Sequence, residues 1–453
     1  MSGPHGGPAG GPGVLEAFRE VAGTHPRCFW LDGAGARGWS GRRSVLGWLE
    51  PDDVSLSYSA ATRTVTRHAA GRSEVVASGS ADVFAALEAE LAAGGPDDQW
   101  FGYLGYACRP DLPARPAVGL PDAVWMRPSH VRVWTPPGPD EARGPASTGD
   151  VAPARRPTAH ESSPPAAPPW YVAAFERVQE ALHAGDSYEV NLTHREQVAS
   201  DLDPVTAYLR LRALNPAPYA GFLQHDVPGA RAWLLSSSPE RYATVTTEGT
   251  RGARGTGGRT LETRPIKGTT PRGATPAEDA AAALRLRTEQ RYRAENLMVV
   301  DLLRNDLATV CEPGTVEVPV LMDVESYPSV HQLVSTVRGR LRPEVTTVAA
   351  LRALFPAGSM TGAPKRRTME VVDEVESSAR GVYAGAFGWV AADGRADLGV
   401  VIRSLVTTGQ GRWELGTGGG ITVHSDAASE HAEAGWKAER LLAVFATPGG
   451  NTA

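Results

Sequence analysis

Two apolar runs joined by a glycine turn, VYAGAFGWVAADG and ADLGVVIRSLVTT, constrain this chain more than any other feature. Both are rich in β-branched and aromatic residues over strand length, so together they read as a β-hairpin. The same signature recurs in CFWLDGAG, SLSYSAATRTVTRHA, WFGYLGYACRP, VWMRPSHVRVW, SYEVNLTHREQV, GFLQHD, AWLLSSSPE, RYATVTTEG and WELGTGGGITVHS, each read as a strand. Helical periodicity comes in blocks between them: ADVFAALEAELAAG ending at Gly94, WYVAAFERVQEALHAGD, Pro204 to Leu214, one long pattern from Ala277 to Val310, Thr361 to Val375 with Pro364 in its first turn, and a closing SEHAEAGWKAERLLAVF. Strands in hairpin pairs with helices in blocks predict an α+β fold with antiparallel sheets, not a doubly wound parallel sheet.

Two segments fall outside that pattern. The first thirteen residues, MSGPHGGPAGGPG, and residues 136–169 are rich in proline and glycine, and the second has almost no bulky apolar residue. Neither buries enough surface to offset its ordering entropy, so residues 1–13 and 136–169 are expected to be disordered. They leave an N-terminal part, 14–135, and a C-terminal part, 170–446. The 45 basic and 51 acidic residues give a net charge of −6 and are evenly mixed, which excludes the basic stripe of a nucleic-acid binder. Cys28, Cys108 and Cys311 form no CxxC pair, excluding a disulfide framework or zinc knuckle. With no secretory signal and no eighteen-residue apolar window, the expectation is a cytoplasmic protein with no membrane contact.

Several residues carry possible chemistry. Glu430, Glu433 and Lys437 share one face of the last helix, and Glu295 lies on another. Two carboxylates from separate helices are a common protein share of a Mg²⁺ site; the alternative is a solvated Glu433–Lys437 ion pair. Gly418, Gly419 and Gly420 interrupt a strand, either to let a ligand reach backbone N–H groups or as a bulge. No GxGxxG or GK[ST] loop appears, which disfavours NAD and P-loop nucleotides. Lys267, in RPIKGTTPRG, has little local acidic company; it is either a nucleophile of lowered pKa or a surface lysine. Arg403 lies within the strand VVIRSL, where burial would demand a carboxylate from protein or ligand. In SMTGAPKRR, Ser359 and Thr361 stand at a helix start that suits an anion or an ordinary cap.

The ordered stretches GDSYEVNLT, RPIKGTTPRG, AENLMVVDLLRNDL, YPSVHQLVSTV, FPAGSMTGAPKRRTMEVVDEVE, RGVYAGAFGWV, DLGVVIRSL, GTGGGITVHSD and EHAEAGWKAERLL cover nearly all of 170–446. In them the chain resembles the chorismate-utilising enzymes, which include anthranilate synthase component I, aminodeoxychorismate synthase component I, and the isochorismate and salicylate synthases. The resemblance implies a large α/β sandwich of two antiparallel sheets with helices outside, the 136–169 segment becoming a loop within it. It implies that Glu295 and Glu433 hold Mg²⁺ with Glu430 close by. Tyr383, Arg403 and the backbone of Gly418 to Gly420 would grip the enolpyruvyl group of chorismate. Gly268, Thr269 and Ser359 would line the ring pocket, and Lys437 would meet the Mg²⁺-bound carboxylate.

Three positions discriminate among members. Water-adding members carry a lysine base where this chain has Glu189. At 267, lysine matches the aminodeoxychorismate synthases, implying covalent attack on ring C2, and anthranilate synthases have alanine. Gln332, beside His331, replaces a histidine tied to pyruvate elimination in anthranilate synthases, and an amide is no general base. The expected reaction is therefore chorismate plus ammonia to 4-amino-4-deoxychorismate, for p-aminobenzoate and folate or for secondary metabolism. Ammonia would come from a separate class I glutamine amidotransferase subunit, or from free ammonium. The alternatives are anthranilate or 2-amino-2-deoxyisochorismate synthesis, and a non-catalytic amidotransferase-binding subunit. Gly33 stands where a tryptophan-binding serine is expected, which speaks against feedback by tryptophan.

Overall fold

The computed structural model describes residues 13–35, 40, 43–80, 82–135, 165–247, 258–327 and 330–446. Residues 1–12 and 136–164, the bulk of the two segments expected to be disordered, lie outside the described residues. The end of the second segment is described, and Pro169 there is the first residue of the helix Pro169–His183. Its missing N–H costs nothing at that position.

Among the described residues, alternating apolar side chains accompany the pairing of the strands into two antiparallel sheets. One has nine strands, in the order Gly362–Ala363, Glu189–Ala199, Arg412–Ile421, Ser404–Thr407, Ala232–Ser238, Tyr219–His225, Arg27–Asp32, Ser44–Trp48, His130–Trp134. The other has twelve. Its main path runs Ile266–Pro271, Val330–Arg340, Arg259–Arg264, Arg241–Thr247, Ala396–Val400, Ala386–Ala391, Gln99–Leu104, Ala123–Met126, Ser55–Ser59, Thr64–Ala69, Arg72–Ala77, and Glu317–Ser326 also pairs with Val330–Arg340. The inner faces meet through residues such as Phe29, Phe101, Leu234 and Phe387. Helices Val14–Thr24, Pro204–Leu214 and Ala427–Leu442 cover the outside of the nine-stranded sheet, and Val83–Ala93, Gln290–Ala308 and Thr347–Leu354 that of the twelve-stranded one. The architecture is the expected sandwich. Residues 14–135 and 170–446 share both sheets, since Arg27–Asp32 pairs with Tyr219–His225 and Gln99–Leu104 with Ala386–Ala391. No described helix is long and apolar enough to cross a membrane.

Several expected elements are corrected. The run from Ala277 to Val310 is two helices, Pro276–Thr288 and Gln290–Ala308, because Glu289 is extended at φ −68°, ψ 127°. The second helix thereby lies on the sheet, where Asn296 Oδ1 accepts from Ser335 Oγ at 2.5 Å. The helix expected from Thr361 begins at Lys365, with Pro364 as its N-cap. Gly362 and Ala363 pair instead with Val190 and Glu189 as a short strand, so Thr361 does not cap this helix but closes the short turn Gly358–Met360 before it. VWMRPSHVRVW is two strands in different sheets, parted at Pro128, which cannot donate to a ladder. SLSYSAATRTVTRHA is likewise a hairpin of two strands. Gly418 to Gly420 do not interrupt their strand: Arg412–Ile421 is continuous and pairs residue for residue with Val190–Ala199. Arg403 is not within a strand. It sits at φ 50° between Ala396–Val400 and Ser404–Thr407, where the chain crosses from one sheet to the other.

Candidate active site

Strand Glu189–Ala199 lies near one edge of the nine-stranded sheet, and Ile266–Pro271 at one edge of the other. Where they approach, Lys267 Nζ donates to Glu189 Oε1. The pair rests over Gly420, where a Cβ would overlap the carboxylate and come within 3.0 Å of Nζ. Lys267 is 8 % exposed. Burial works to discharge it, but Glu189, Glu295 and Glu240 together hold its proton affinity above the ordinary lysine value. Both expectations for Lys267, a lowered pKa or a surface position, are thus corrected: its local sequence has little acid, but carboxylates come from segments remote in sequence.

Two of those carboxyls are drawn toward neutrality. Burial pushes Glu240 up to about 7 while Ser359 Oγ donates to it at 2.6 Å. Burial, then the charge of Glu189, pushes Glu295 up to about 7. Arg291, one helical turn before Glu295, donates to it at 3.1 Å and reaches across to Glu430 on the last helix. Burial and Glu433 raise Glu430 above the usual carboxylate range, and Ser425 Oγ donates to it at 2.8 Å. Glu433 turns away to Lys437 at 2.8 Å, and that ammonium holds its carboxyl below the usual range. Lys437 also donates to the Gly418 carbonyl at 2.9 Å. A Cβ on Gly419 would come within 3.4 Å of Glu430 and 3.6 Å of Lys437.

Glu295 and Glu430 are therefore brought together through one guanidinium, while Glu433 is engaged elsewhere. Among the described residues no three His, Cys, Asp or Glu side chains converge as a metal cage. Two hard oxygen donors from separate helices, both made more basic by burial, nonetheless fit Mg²⁺, which usually takes only one or two protein carboxylates.

The remaining candidates line the same region. The Arg403 guanidinium stands 5.7 Å from the centre of the Trp436 ring and has no hydrogen bond or ion pair among the described residues. Burial pushes its pKa down to about 10. Tyr383 is buried; its ring occupies space that a Cβ at Gly416 would fill, and Arg195 stacks on it at 4.8 Å. Gly268 adopts φ +98°, with Leu286 2.9 Å from where a Cβ would stand. Thr269 pairs with Gln332, whose buried Oε1 has no partner among the described residues. His331 is bound instead to Asp279 at 3.0 Å and Ser326 at 2.8 Å.

Sequence reasoning missed Glu240, Arg291 and a buried charge cluster beneath the glycine strand. There Glu376 accepts from Arg380, Arg195 and both the N–H and hydroxyl of Thr193. Arg380 also bonds the carbonyls of Met360 at 2.6 Å and Asn191 at 2.7 Å. The i,i+4 spacings of Arg291–Glu295 and Glu376–Arg380 were the available signals; for Glu240 there was none.

Comparison with known proteins gives one consistent answer. A chorismate binding enzyme family profile matches residues 27–443. The aminodeoxychorismate synthase of Streptomyces pristinaespiralis is 38 % identical over 475 residues, spanning 96 % of this chain and 64 % of that protein. Aminodeoxychorismate synthase component 1 of Klebsiella aerogenes is 42 % identical over 272 residues, 60 % of this chain and 57 % of that one. The chain thus spans less than two thirds of either relative. The crystal structure of anthranilate synthase component I from Streptococcus pneumoniae TIGR4 superposes with a TM-score of 0.67 at 26 % identity, covering 88 % of this chain and 92 % of that one. With the sandwich, the glycine strand and the helix-borne glutamates in place, this chain belongs to the chorismate binding enzyme family.

Proposed function

We propose that this chain binds chorismate and exchanges its 4-hydroxyl for an amino group, giving 4-amino-4-deoxychorismate for p-aminobenzoate and folate or for secondary metabolism. The observation that carries this reading is a buried amine, Lys267, among Glu189, Glu240 and Glu295. The relatives named aminodeoxychorismate synthase support it.

The unpaired Arg403, backed by Tyr383, takes the enolpyruvyl carboxylate, since a charge-assisted fork fits that group. Lys437 meets the ring carboxylate, and Gly268, Thr269 and Ser359 line the ring. Glu295 and Glu430 would hold Mg²⁺, with Glu433 joining them only on leaving Lys437; when bound, the ion would supply positive charge for the ring carboxylate and the leaving hydroxyl. The Lys267 amine, once free of its extra proton, bonds to ring C2 as both ring double bonds shift one place toward C4 and the C4–O bond breaks. Glu240, with a proton affinity near neutral, gives the departing hydroxyl a proton and leaves it as water. Ammonia then bonds to C4, both ring double bonds return, the C2–N bond breaks and Lys267 recovers its amine. The Glu240 carboxylate takes the proton that the new ammonium sheds. One hard displacement becomes two easier ones. Gln332 cannot abstract a proton near neutral pH, so the enolpyruvyl group is retained. A separate glutamine amidotransferase chain supplies the ammonia, as the designation component 1 of the Klebsiella relative suggests.

The test is product identity. Chorismate, Mg²⁺ and ammonium, followed by a lyase that releases 4-aminobenzoate, should yield that compound, and Lys267→Ala should abolish or greatly slow its formation. The second reading, favoured by likeness to anthranilate synthase component I, would show as anthranilate or 2-amino-2-deoxyisochorismate. Tight binding of an amidotransferase without turnover on any nitrogen source would make the chain a non-catalytic subunit.

A further inference from the structure

A lysine that must attack carbon cannot do so as an ammonium, and the pocket of Lys267 favours the ammonium. Its facing groups are Glu189 from the strand Glu189–Ala199, Glu295 from the helix Gln290–Ala308 and Glu240 from the loop after Ala232–Ser238. Only Glu189 is in contact with Nζ. We propose that Glu189 is the base that removes the Lys267 proton, so that nucleophile and base form one buried pair held over Gly420. The step moves one proton from Nζ to the Glu189 carboxylate and leaves the lone pair on nitrogen free to bond to ring C2. The proton returns to the amine when the C2–N bond breaks. The proposal rests on the reading of Lys267 as the nucleophile.

Three features of the pair suit the task. The first is burial: the Lys267 and Glu189 side chains are 9 % and 2 % exposed. Removal from water erodes the advantage of a separated ion pair over two neutral groups, because both charges lose their solvation. The second is an imbalance within the carboxylate. Oε1 accepts from Lys267, but Oε2 is buried and has no hydrogen-bond partner among the described residues. A buried carboxylate oxygen without a donor carries a desolvation cost that no hydrogen bond offsets. The third is Gly420. Any side chain there would overlap Glu189 and crowd Nζ, so the glycine keeps donor and acceptor in contact. Of the other two facing groups, Glu240 is engaged by Ser359 and Glu295 by Arg291.

The competing role for Glu189 is an electrostatic clamp that stabilises the ammonium, and the two roles differ in sign. The full-length chain with chorismate, Mg²⁺ and ammonium is assayed for kcat/KM from about pH 6 to 10. If Glu189 is the base, Glu189→Gln loses about 10²- to 10⁴-fold near pH 7 and recovers toward alkaline pH, where solvent can take the proton. Glu189→Ala is then partly rescued by added formate, and Glu189→Asp, which keeps the carboxylate should the other variants fold poorly, retains the wild-type pH profile. If Glu189 is only a clamp, Glu189→Gln matches or exceeds the wild type at pH 7, its acid limb moves to lower pH and formate does nothing; that result overturns the proposal. Lys267→Ala separates this failure from that of the underlying reading. A dead Lys267→Ala beside an active Glu189→Gln removes the base alone, whereas wild-type turnover by Lys267→Ala removes the nucleophile itself.

Discussion

Arg403 is placed where a guanidinium costs most and gains least from the protein. The bend at φ 50° carries it across the gap between sheets, and its nearest support is the Trp436 face rather than a carboxylate. Burial lowers its pKa to about 10, still leaving it charged near neutral pH. On the proposed reading such a cation meets a ligand anion, and charge-assisted bonds contribute about 1.5–3 kcal/mol. Arg403→Ala should therefore raise the KM for chorismate about ten- to hundredfold while leaving the melting temperature of the free protein unchanged or higher. A fall in melting temperature with KM unmoved would make Arg403 structural. The sequence offered the residue but not its setting: VVIRSL reads as one strand, since nothing local signals that the chain changes sheets at position 403. The same holds at Lys267. Its type and neighbours are legible, but its charged company is contributed by Glu189, Glu240 and Glu295, brought together only by the pairing of distant strands and a helix.

At the scale of elements, the hairpins were legible because alternation and a glycine turn are local; Ala386–Ala391 and Ala396–Val400 pair across a turn where Gly394 has φ 88°. Boundaries set by distant partners were not. The delayed start at Lys365 arises because Gly362 and Ala363 are claimed by Glu189–Ala199, and the split at Glu289 lets the second helix meet Val330–Arg340 through the side chains of Asn296 and Ser335. The strand Glu189–Ala199 is tied down in turn by Glu376 and Arg380, both with side chains 2 % exposed. Arg380 bridges the Asn191 carbonyl to that of Met360, next to Ser359. Replacing Glu376 would strand two guanidinium groups and the Thr193 N–H. Breaking a buried pair in this way costs about 3–5 kcal/mol, so Glu376→Gln should unfold at markedly lower urea concentration. Because the lost tie also holds the active strand against the Ser359 loop, kcat should fall at temperatures where the variant is still folded. Full kcat in that state would confine the cluster to stability.

Across the whole molecule, the two sheets meet through unlike contacts with opposite responses to pH. Phe29 stacks on Phe101 with centroids 3.9 Å apart in the apolar centre. Toward one end the seam is polar: His225 and Ser55 lie 2.9 Å apart, His68 and Ser57 2.8 Å, and Arg27 donates to Ser55 at 3.2 Å. Burial pushes His225 down to about 3 and His68 to about 4. The unfolded chain binds protons at these groups below about 6.5, so their contribution is whole above that pH and is lost as pH falls toward 3. The candidate pocket works in reverse. Glu240 and Glu295, raised from 4.5 to about 7, keep protons that the unfolded chain has released. Their contribution is whole below about pH 4.5 and is lost as pH rises to 7. Glu295→Gln removes one of these carboxyls while keeping its shape. Its stability relative to wild type, from urea unfolding at a series of pH values, should improve by up to about 3 kcal/mol between pH 4.5 and 7 and stay level below pH 4. A difference that does not vary with pH would mean that Arg291 keeps Glu295 ionised throughout. If this carboxyl holds Mg²⁺, the ion offsets the same cost, so Mg²⁺ should raise the melting temperature of the wild type at pH 7 more than that of the variant.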